Sequence, residues 1–316
     1  MNTPLAERLR PQVLSDYIGQ QHLIGPNGAL KEGLKQGLIP SMILWGPPGV
    51  GKTTLAQIIA KTAKRPIYTL SAINSGVKDV REVIEKAKQR KNNRSGFTKA
   101  QRDNDLPMAG KSMVLIFEKP STRTRISFEL AVKQLGGDTI ILDPQSIHYG
   151  RGDETLKDTA KVMSEYTDIL MIRTSAHKNL EEMGKHATIP IINGLSEISH
   201  PCQIMADILT FEECVGDISG KTLAWVGDGN NNMSNSWIEA AVKLNFNLKI
   251  ASPKKYQPNK NFLKQFGSKI DNIKILDDPL KAVTDADCVM TDKWVSMNDK
   301  VNKSKKKKDL KKFQVN

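Results

Sequence analysis

The sequence predicts an α/β fold in which parallel sheets carry helices on both faces, giving three αβα layers. Short apolar segments alternate with amphipathic ones along most of the chain, and this alternation is typical of parallel strands joined by helices. Hydrophobic residues make up 39% of the composition and charged residues 26%, a balance that supports folded cores. The length of 316 residues corresponds to about two domains of roughly 150 residues each.

The predicted elements come in a regular order along the chain. An apolar strand at 41–45 leads through a glycine-rich turn to a helix at 53–64, and a strand at 66–71 leads to an amphipathic helix at 77–90. The polar stretch from 91 to 105 is the best candidate for a boundary or an exposed connection. The alternation then resumes with strands at 112–118, 139–142, 169–173, 189–193, 222–227 and 247–251, helices at 122–135, 155–165, 201–215 and 236–244, and a last apolar segment at 288–291. Ligands of such sheets bind at the carboxyl ends of the strands, so the loops there should carry the functional residues.

The composition also excludes several classes of protein. No apolar run approaches the roughly 18 to 20 residues of a membrane span, and the amino-terminal residues lack the apolar stretch of a secretory signal. The three cysteines, Cys202, Cys214 and Cys288, form no CxxC pair, which argues against a disulfide scaffold or a zinc ribbon. We therefore expect a soluble, cytoplasmic protein with no metal site of its own.

Positive charge is in excess and is concentrated in one segment. Lys and Arg number 47 against 34 Asp and Glu, which gives a net charge of +13, and the segment 299–312 holds eight lysines and two aspartates. A globally basic balance would favour a nucleic-acid partner, whereas a local lysine run is more typical of a solvated helix face or loop. Aromatic residues make up 5%, too few to form a stacking platform for single strands. We therefore expect neither a nucleic-acid nor a membrane partner.

The first candidate phosphate site follows the predicted strand at 41–45. Its sequence, GPPGVGKTT, has the G-x-x-x-x-G-K-T spacing of a phosphate-binding loop between a strand and a helix. Five residues carry the predicted contacts to ATP and Mg²⁺: Gly46, Gly49, Gly51, Lys52 and Thr53. Glycines let backbone N–H groups surround a phosphate, the lysine reaches the β- and γ-phosphate oxygens, and the threonine hydroxyl can bind Mg²⁺. The alternative is a glycine-rich turn that binds no ligand.

The amino-terminal part resembles the replication-associated recombination ATPases, which are AAA+ proteins. The matching segments are 4–11, 16–21, 46–54 and 71–76, and the resemblance extends over residues 1–88. It implies a partial P-loop unit with ATP and Mg²⁺ as ligands. The family's Asp-Glu strand end, which holds Mg²⁺ and aligns the attacking water, has no counterpart, because Asp143 precedes Pro144 and Asp277 precedes Asp278. Nucleotide binding without hydrolysis is the most that this fragment implies.

A second candidate phosphate site follows the predicted strand at 112–118. Hydroxyl groups, the free N–H groups of a helix start and two arginines come together on one turn, formed by Ser121, Thr122, Arg123, Thr124 and Arg125. Such a turn suits a phosphate dianion, to which the helix dipole adds about 0.3–1 kcal/mol. An ordinary Ser/Thr-capped helix with solvated arginines explains the same residues equally well.

Other polar residues lie at the ends of further predicted strands, where they could share a ligand with this turn. Gln145 follows the strand at 139–142, Arg173 ends the strand at 169–173, and His200-Pro201-Cys202-Gln203 stands where a helix begins. Taken singly, His200 is more often a structural histidine and Cys202 a small core residue.

Six longer segments resemble the ornithine carbamoyltransferases. They are 117–129 (FEKPSTRTRISFE), 146–162, 170–174, 193–207 (NGLSEISHPCQIMAD), 225–237 (WVGDGNNNMSNSW) and 291–299. The resemblance covers about residues 85–316. It implies two carbamoyltransferase-type domains, 89–212 for carbamoyl phosphate and 213–316 for ornithine, preceded by the P-loop fragment at 1–88.

The resemblance implies a reaction in which carbamoyl phosphate and ornithine give citrulline and phosphate, with no metal or organic cofactor. The groups that would hold the phosphoryl group are Ser121, Thr122, Arg123 and Thr124, with Gln145 beside them. Arg173, His200 and Thr124 would act in catalysis by polarising the carbamoyl oxygen, on which negative charge builds during attack. Gln203 would bind the carbamoyl NH₂ group.

The resemblance also assigns the acceptor side and the assembly. Ornithine would be bound by Asn232, Asp292, Ser296 and Met297. An additional asparagine in this sequence leaves Asn231 as an alternative to Asn232. The family forms trimers, and His148 would reach into the site of a neighbouring subunit.

One departure from the family and several alternatives bear on activity. The family continues beyond the counterpart of 313–316 into a strand ending in His-Cys-Leu-Pro and later supplies an arginine, and both contribute to the site. Because the sequence ends at Asn316, we expect phosphate-site chemistry with impaired turnover. Two other hypotheses are an ATP-binding AAA+ factor of replication or recombination and a fusion product without function. An acetylated ornithine or a diamine also stays open as the acceptor.

Overall fold

The computed structural model describes residues 11, 13–17, 19, 24, 25, 28, 30, 52–62, 77–143, 147–149, 154–295 and 302–315. The chain divides into two compact units, 1–74 and 75–316. The boundary predicted at residue 88 falls within the second of these units, and the division into three domains stays a prediction.

The first unit is described mainly through helix α1 (Lys52–Thr62). Leu55, Ile58 and Ile59 recur at the three-to-four-residue spacing of one helix face, and they pack with Tyr17 in a small apolar cluster. This helix agrees with the one predicted at 53–64. The strands predicted at 41–45 and 66–71 lie outside the described residues.

The second unit begins with helix α2 (Val77–Asn93) and contains two four-stranded sheets. The elements of its first half are β1 (Ser112–Phe117), α3 (Thr122–Gln134), β2 (Asp138–Leu142), α4 (Leu156–Tyr166), β3 (Ile169–Arg173), α5 (His177–His186), β4 (Ile191–Leu195) and α6 (Pro201–Cys214). Those of its second half are β5 (Thr222–Val226), α7 (Asn232–Leu244), β6 (Asn247–Ala251), α8 (Lys260–Lys264), β7 (Ile273–Leu276), α9 (Pro279–Val283), β8 (Cys288–Met290) and α10 (Lys303–Leu310).

Both sheets are parallel and four-stranded, but their strand orders differ. The order is β2-β1-β3-β4 in the first sheet and β7-β6-β5-β8 in the second, with parallel pairing throughout. In each sheet the chain first adds strands on one side of the starting strand, which is β1 or β5. It then crosses over and continues on the other side of that strand. The crossing places a topological switch point between β1 and β3 and another between β5 and β8, and ligands of such sheets bind at these points.

The first sheet is covered on both faces, as the three-layer prediction requires. Successive residues of a strand point to opposite faces. Val114 and Ile116 accordingly pack in one apolar cluster with Met183, whereas Met113 and Leu115 pack in another with Val132. Four consecutive buried residues in β1 are therefore explained by helices on each side of the sheet.

The second sheet shares its core with helix α2. Ile84 of α2 is buried together with Phe211, Trp225, Trp237 and Phe246. The rings of Trp237 and Phe246 meet edge to face, with 6.0 Å between their centroids.

Ion pairs connect α2 to helix α6 of the same unit. The buried carboxylate of Glu212 lies 2.5 Å from Arg81 and 2.7 Å from Lys88. The polar stretch predicted as a boundary or an exposed connection lies inside this unit and is mostly exposed, apart from buried Asp103, which accepts hydrogen bonds from Arg90 and Arg94.

Most predicted elements agree with the structure, and the differences have local causes. Helix α5 was not predicted, because only Leu180 and Met183 supply a buried apolar face in its polar sequence. Helix α7 begins four residues earlier than predicted, since the Asn231 side chain accepts a hydrogen bond from the Ser234 N–H and caps the helix there. Strand β4 starts two residues later than predicted, after Pro190, which has no N–H to donate.

The lysine-rich segment, predicted as a solvated helix face or a loop, contains helix α10. Leu310 and Phe313 anchor α10 and the 3₁₀ turn after it, and Lys306 is buried. Among the described helices, none combines the length and the apolar character needed to cross a membrane.

Candidate functional site

The turn between β1 and α3 presents the donors expected of an anion site. Ser121 has an extended backbone and caps α3 by accepting a hydrogen bond from the Thr124 N–H, with 3.4 Å between the atoms. Its hydroxyl also donates to Thr124 Oγ1 at 2.9 Å. The first-turn N–H groups of α3 lie at the positive end of the helix dipole. Thr122 and Arg123 are exposed on this turn.

Arg173 brings a buried positive charge to the same turn. It ends β3, next to β1, and is 7% exposed. Its Nη1 donates to Thr124 Oγ1 at 3.3 Å, while its Nε is buried and has no hydrogen-bond partner among the described residues. Burial lowers the pKa of Arg173, and the positive charge of Arg123 lowers it further. Arginine nevertheless stays charged at neutral pH. A bound anion would therefore stabilise the neighbouring cations Arg123 and Arg173.

His200 lies at the start of α6 and completes the polar group around Arg173. Its Nδ1 is buried and finds no partner in the part of the chain that the structure describes. Burial, together with the charge of Arg173, lowers the pKa of His200 to about 4. The imidazole is therefore neutral at pH 7 and can form a hydrogen bond with the carbonyl group of a ligand.

Helix α7 of the second sheet holds the loop that carries His200. Asn232 Nδ2 donates to the Ser196 carbonyl at 2.9 Å, and Asn235 Nδ2 donates to the Ile198 carbonyl at 3.0 Å. The His200 N–H donates to Ser236 Oγ at 2.7 Å. These three side chains occupy positions i, i+3 and i+4 and therefore share one helix face.

Glu118 is a further residue of the site that sequence reasoning missed. Its carboxylate accepts hydrogen bonds from Thr174 Oγ1 at 2.6 Å and from the Ser175 N–H at 3.1 Å. The Glu118 carboxylate thereby links the turn between β1 and α3 to the loop that follows Arg173. Burial and the charge of Glu118 raise the pKa of Tyr149 well above the ordinary tyrosine value. The only signal for Glu118 in the sequence was its place at the end of an apolar strand.

A cleft of about 960 Å³ opens beside the phosphate turn. Ser121, Thr122 and Arg125 line it together with Glu118 and Tyr149. The described lining does not include Arg173 or His200.

Asp292, the one carboxylate among the residues predicted to bind the amino-acid substrate, influences a second carboxylate, Asp207. Asp292 follows β8 and is exposed, and its charge raises the pKa of Asp207, for which burial is the larger cause. Gln203 Nε2 donates to Asp207 Oδ1 at 2.8 Å. Burial and the charge of Asp207 also raise the pKa of the Cys288 thiol.

The two candidate asparagines differ in their hydrogen bonds. Asn231 uses both ends of its amide within the helix start, accepting from the Ser234 N–H and donating to the Asp228 carbonyl at 3.1 Å. Asn232 donates through Nδ2 to the Ser196 carbonyl.

Several predicted residues lie outside the part of the chain that the structure describes, namely Gln145, Ser296, Met297, Gly46, Gly49 and Gly51. Lys52 and Thr53 begin α1, and the description of these two residues extends to their backbone. His148 is exposed. Within the described ranges, no group of three or more His, Cys, Asp or Glu side chains could hold a metal ion.

Comparisons with protein families match three regions of the chain. Residues 69–213 match the model described as "Aspartate/ornithine carbamoyltransferase, carbamoyl-P binding domain", and residues 219–316 match the "Asp/Orn binding domain" of the same family. Residues 9–91 match the "Holliday junction DNA helicase RuvB P-loop domain", which agrees with the predicted join to a P-loop fragment. The two kinds of match overlap between residues 69 and 91, where α2 lies.

Individual proteins extend these matches. Ornithine carbamoyltransferase from Nitrobacter winogradskyi is 45% identical over 238 residues, which span 75% of this chain and 75% of the relative. The enzyme of that name from Agrobacterium fabrum is 44% identical over 247 residues, 78% of each chain. A solved structure of ornithine carbamoyltransferase from Pyrococcus furiosus aligns with a TM-score of 0.69 and 38% identity over 76% of each chain.

Proposed function

Because the chain belongs to the aspartate/ornithine carbamoyltransferase family, we propose that it transfers the carbamoyl group of carbamoyl phosphate to ornithine, giving citrulline and phosphate. The observation that carries this proposal is the buried guanidinium of Arg173, which has an unpartnered Nε among the described residues and lies beside Thr124 and Arg123. A buried cation of this kind is stabilised by an anionic ligand.

The phosphoryl group of the donor binds at the switch point between β1 and β3. Ser121, Thr122, Arg123 and Thr124 supply hydroxyls, N–H groups at the helix start and one of the positive charges. Arg173 supplies the second charge from the neighbouring strand. Charge-assisted hydrogen bonds of this kind contribute about 1.5–3 kcal/mol each.

Arg173, His200 and Thr124 act on the carbonyl oxygen. The lone pair of the uncharged side-chain amine of ornithine attacks the carbonyl carbon, and negative charge builds on that oxygen. The cation and the two hydrogen-bonding groups stabilise this charge, because they are already in place before the reaction. The carbon–oxygen bond to phosphate then breaks, phosphate leaves with the bonding electrons, and the attacking nitrogen loses a proton.

The acceptor binds toward the carboxyl ends of β5 and β8. We assign Asn232 rather than Asn231 to ornithine, since Asn231 already uses both ends of its amide within the helix start. The carboxylate of Asp292 suits a cationic group of the acceptor, and Gln203 is assigned to the carbamoyl NH₂ group. Gln145, Ser296 and Met297 keep the roles that the family resemblance gives them.

The remaining assignments concern assembly, location and the amino-terminal loop. We propose a homotrimer in which His148 contacts a neighbouring copy, and a cytoplasmic location. We also propose that ATP with Mg²⁺ binds at Gly46, Gly49, Gly51, Lys52 and Thr53, on the basis of the sequence motif and the P-loop family match.

Calorimetric titration with carbamoyl phosphate, paired with an assay for citrulline, tests the proposed function. Replacing Arg173 by Met should weaken carbamoyl phosphate binding by about 100-fold, because charge-assisted hydrogen bonds to the donor are lost. Citrulline formation should fall at least as much. Arg102→Met is the matched control, since Arg102 is an exposed arginine of the same unit. Binding by Arg173→Met as tight as by the parent protein would refute the assignment.

A further inference from the structure

One lysine of the lysine-rich helix α10 differs from its neighbours. Lys303, Lys305, Lys307 and Lys308 are exposed, whereas Lys306 is 2% exposed. Burial of a lysine ammonium is costly unless the charge is paired. Lys306 therefore requires a partner that the other lysines of the helix do not.

The partner is Asp228, which is itself 7% exposed. Lys306 Nζ lies 2.5 Å from Asp228 Oδ2 and 5.6 Å from the centroid of the Tyr256 ring. The Tyr256 hydroxyl donates to Asp309 Oδ2 at 2.9 Å, so α10 has a second polar contact one turn further on. The ion pair and the ring together account for the burial of the ammonium group.

Asp228 organises the turn between β5 and α7. Its Oδ1 accepts from the Asn230 N–H at 2.9 Å, and its backbone carbonyl accepts from Trp225 Nε1 at 2.9 Å and from Asn231 Nδ2 at 3.1 Å. The next residues along the chain are the N-cap of α7 and Asn232. The position of Asn232 therefore depends on the conformation of this turn.

Apolar contacts attach α10 independently of the ion pair. Leu310 is fully buried, and Phe313 packs with Val226, Ala251 and Ala282 at the second sheet. Loss of the Lys306 charge would thus leave the helix docked while leaving the Asp228 carboxylate buried without its cation.

We propose that Lys306 and Asp228 form a positioning pair for the acceptor amino acid. Through Asp228 the pair holds the turn that leads to Asn232. Through Lys306 it holds α10, the helix that follows Ser296 and Met297 in the sequence. This role rests on the proposed function, because it presupposes an acceptor at the β5–β8 switch point. The donor groups on Ser121–Thr124 and Arg173 belong to the other sheet, so the pair should affect acceptor binding selectively.

Calorimetry with each substrate separately tests this role. The probes are carbamoyl phosphate and, at saturating carbamoyl phosphate, L-norvaline, which is ornithine without the reacting amine. Lys306→Met should weaken norvaline binding by about 10-fold or more, as expected for an uncompensated buried carboxylate. Carbamoyl phosphate binding should stay within about twofold of the parent. Lys307→Met removes an exposed lysine next in sequence and should change neither affinity.

The double variant Lys306→Met/Asp228→Asn distinguishes a positioning pair from a general packing role. It removes both charges, so its norvaline affinity should recover toward that of the parent and exceed that of Lys306→Met. Norvaline binding by Lys306→Met within twofold of the parent would overturn the proposal, and so would an equal loss for both ligands. A parent protein that binds neither ligand would refute the proposed function and this role with it.

Discussion

The two sheets of the second unit are both parallel and four-stranded, but their switch points carry opposite charges. Between β1 and β3 the loops bring Arg123 and Arg173 together, and among the described residues the Nε of Arg173 has no partner. Between β5 and β8 they bring carboxylates, and there Asp228 is paired with Lys306. Arg173 at the first edge forms no ion pair among the described residues, so a phosphorylated ligand would supply its counter-ion, whereas Asp228 at the second edge already has its counter-ion in Lys306.

The comparison explains how one fold can bind two substrates of different charge. Parallel sheets direct their loops to one edge regardless of composition, so the residues placed on those loops decide the chemistry. Helix α7 connects the edges of the two sheets. It starts at the turn after β5, and it holds the loop that carries His200 through Asn232, Asn235 and Ser236.

The largest effect is expected at Glu118, on the cationic edge between β1 and β3. In Glu118→Ala, Thr174 and the Ser175 N–H lose their acceptor, and the loop beside Arg173 loses its connection to the phosphate turn. We predict about 10-fold weaker carbamoyl phosphate binding and a decrease of about 1–3 kcal/mol in the free energy of unfolding, by calorimetry and urea titration. Glu165→Ala, at an exposed position of α4, is the control. Unchanged binding by Glu118→Ala would separate this carboxylate from the site.

A smaller effect is expected from the connection between the two edges. Ser236→Ala removes the acceptor of the His200 N–H and should loosen the His200 loop. We predict a decrease in kcat for citrulline of about 3- to 10-fold, the equivalent of one neutral hydrogen bond, with unchanged carbamoyl phosphate affinity. Thr210→Ala, on the exposed face of α6, should match the parent. A loss of carbamoyl phosphate affinity equal to the loss of kcat would contradict a role through His200.

The effect that is smallest at neutral pH is a pH dependence of stability, which originates at His200 on the cationic edge and develops only as the pH falls. The pKa of His200 is lowered from 6.5 to about 4 in the folded protein, so between these values the unfolded chain binds the proton more readily. This contribution to stability is fully present above pH 6.5 and is lost as the pH falls toward 4. Urea unfolding between pH 7 and pH 4 should show a steeper loss for the parent than for His200→Gln. Parallel curves would mean that His200 is not the residue responsible.

The sequence predicted those features that depend on local pattern. The strands Ile169–Arg173 and Asn247–Ala251 were predicted with their observed bounds, because apolar runs between turn residues identify buried strands. The proximity of Thr124 and Arg173 also followed, since neighbouring parallel strands end at one edge.

Features that depend on long-range pairing were not predictable in the same way. Nothing local distinguishes Lys306 from the lysines around it, because its burial depends on Asp228, which lies far away in the sequence. The role of Glu118 depends in the same way on Thr174 and Ser175. The interpretation of the lysine run as a solvated segment was therefore wrong for Lys306, although it holds for the exposed lysines of α10.

The most direct test of the charge difference between the two edges is a crystal structure of the protein with carbamoyl phosphate bound. We predict the phosphoryl group at the start of α3, with oxygens within hydrogen-bonding distance of Ser121–Thr124 and the carbonyl oxygen next to Arg173 and His200. A phosphoryl group bound instead at the β5–β8 edge, beside Lys306 and Asp228, would contradict the assignment of donor and acceptor to the two sheets.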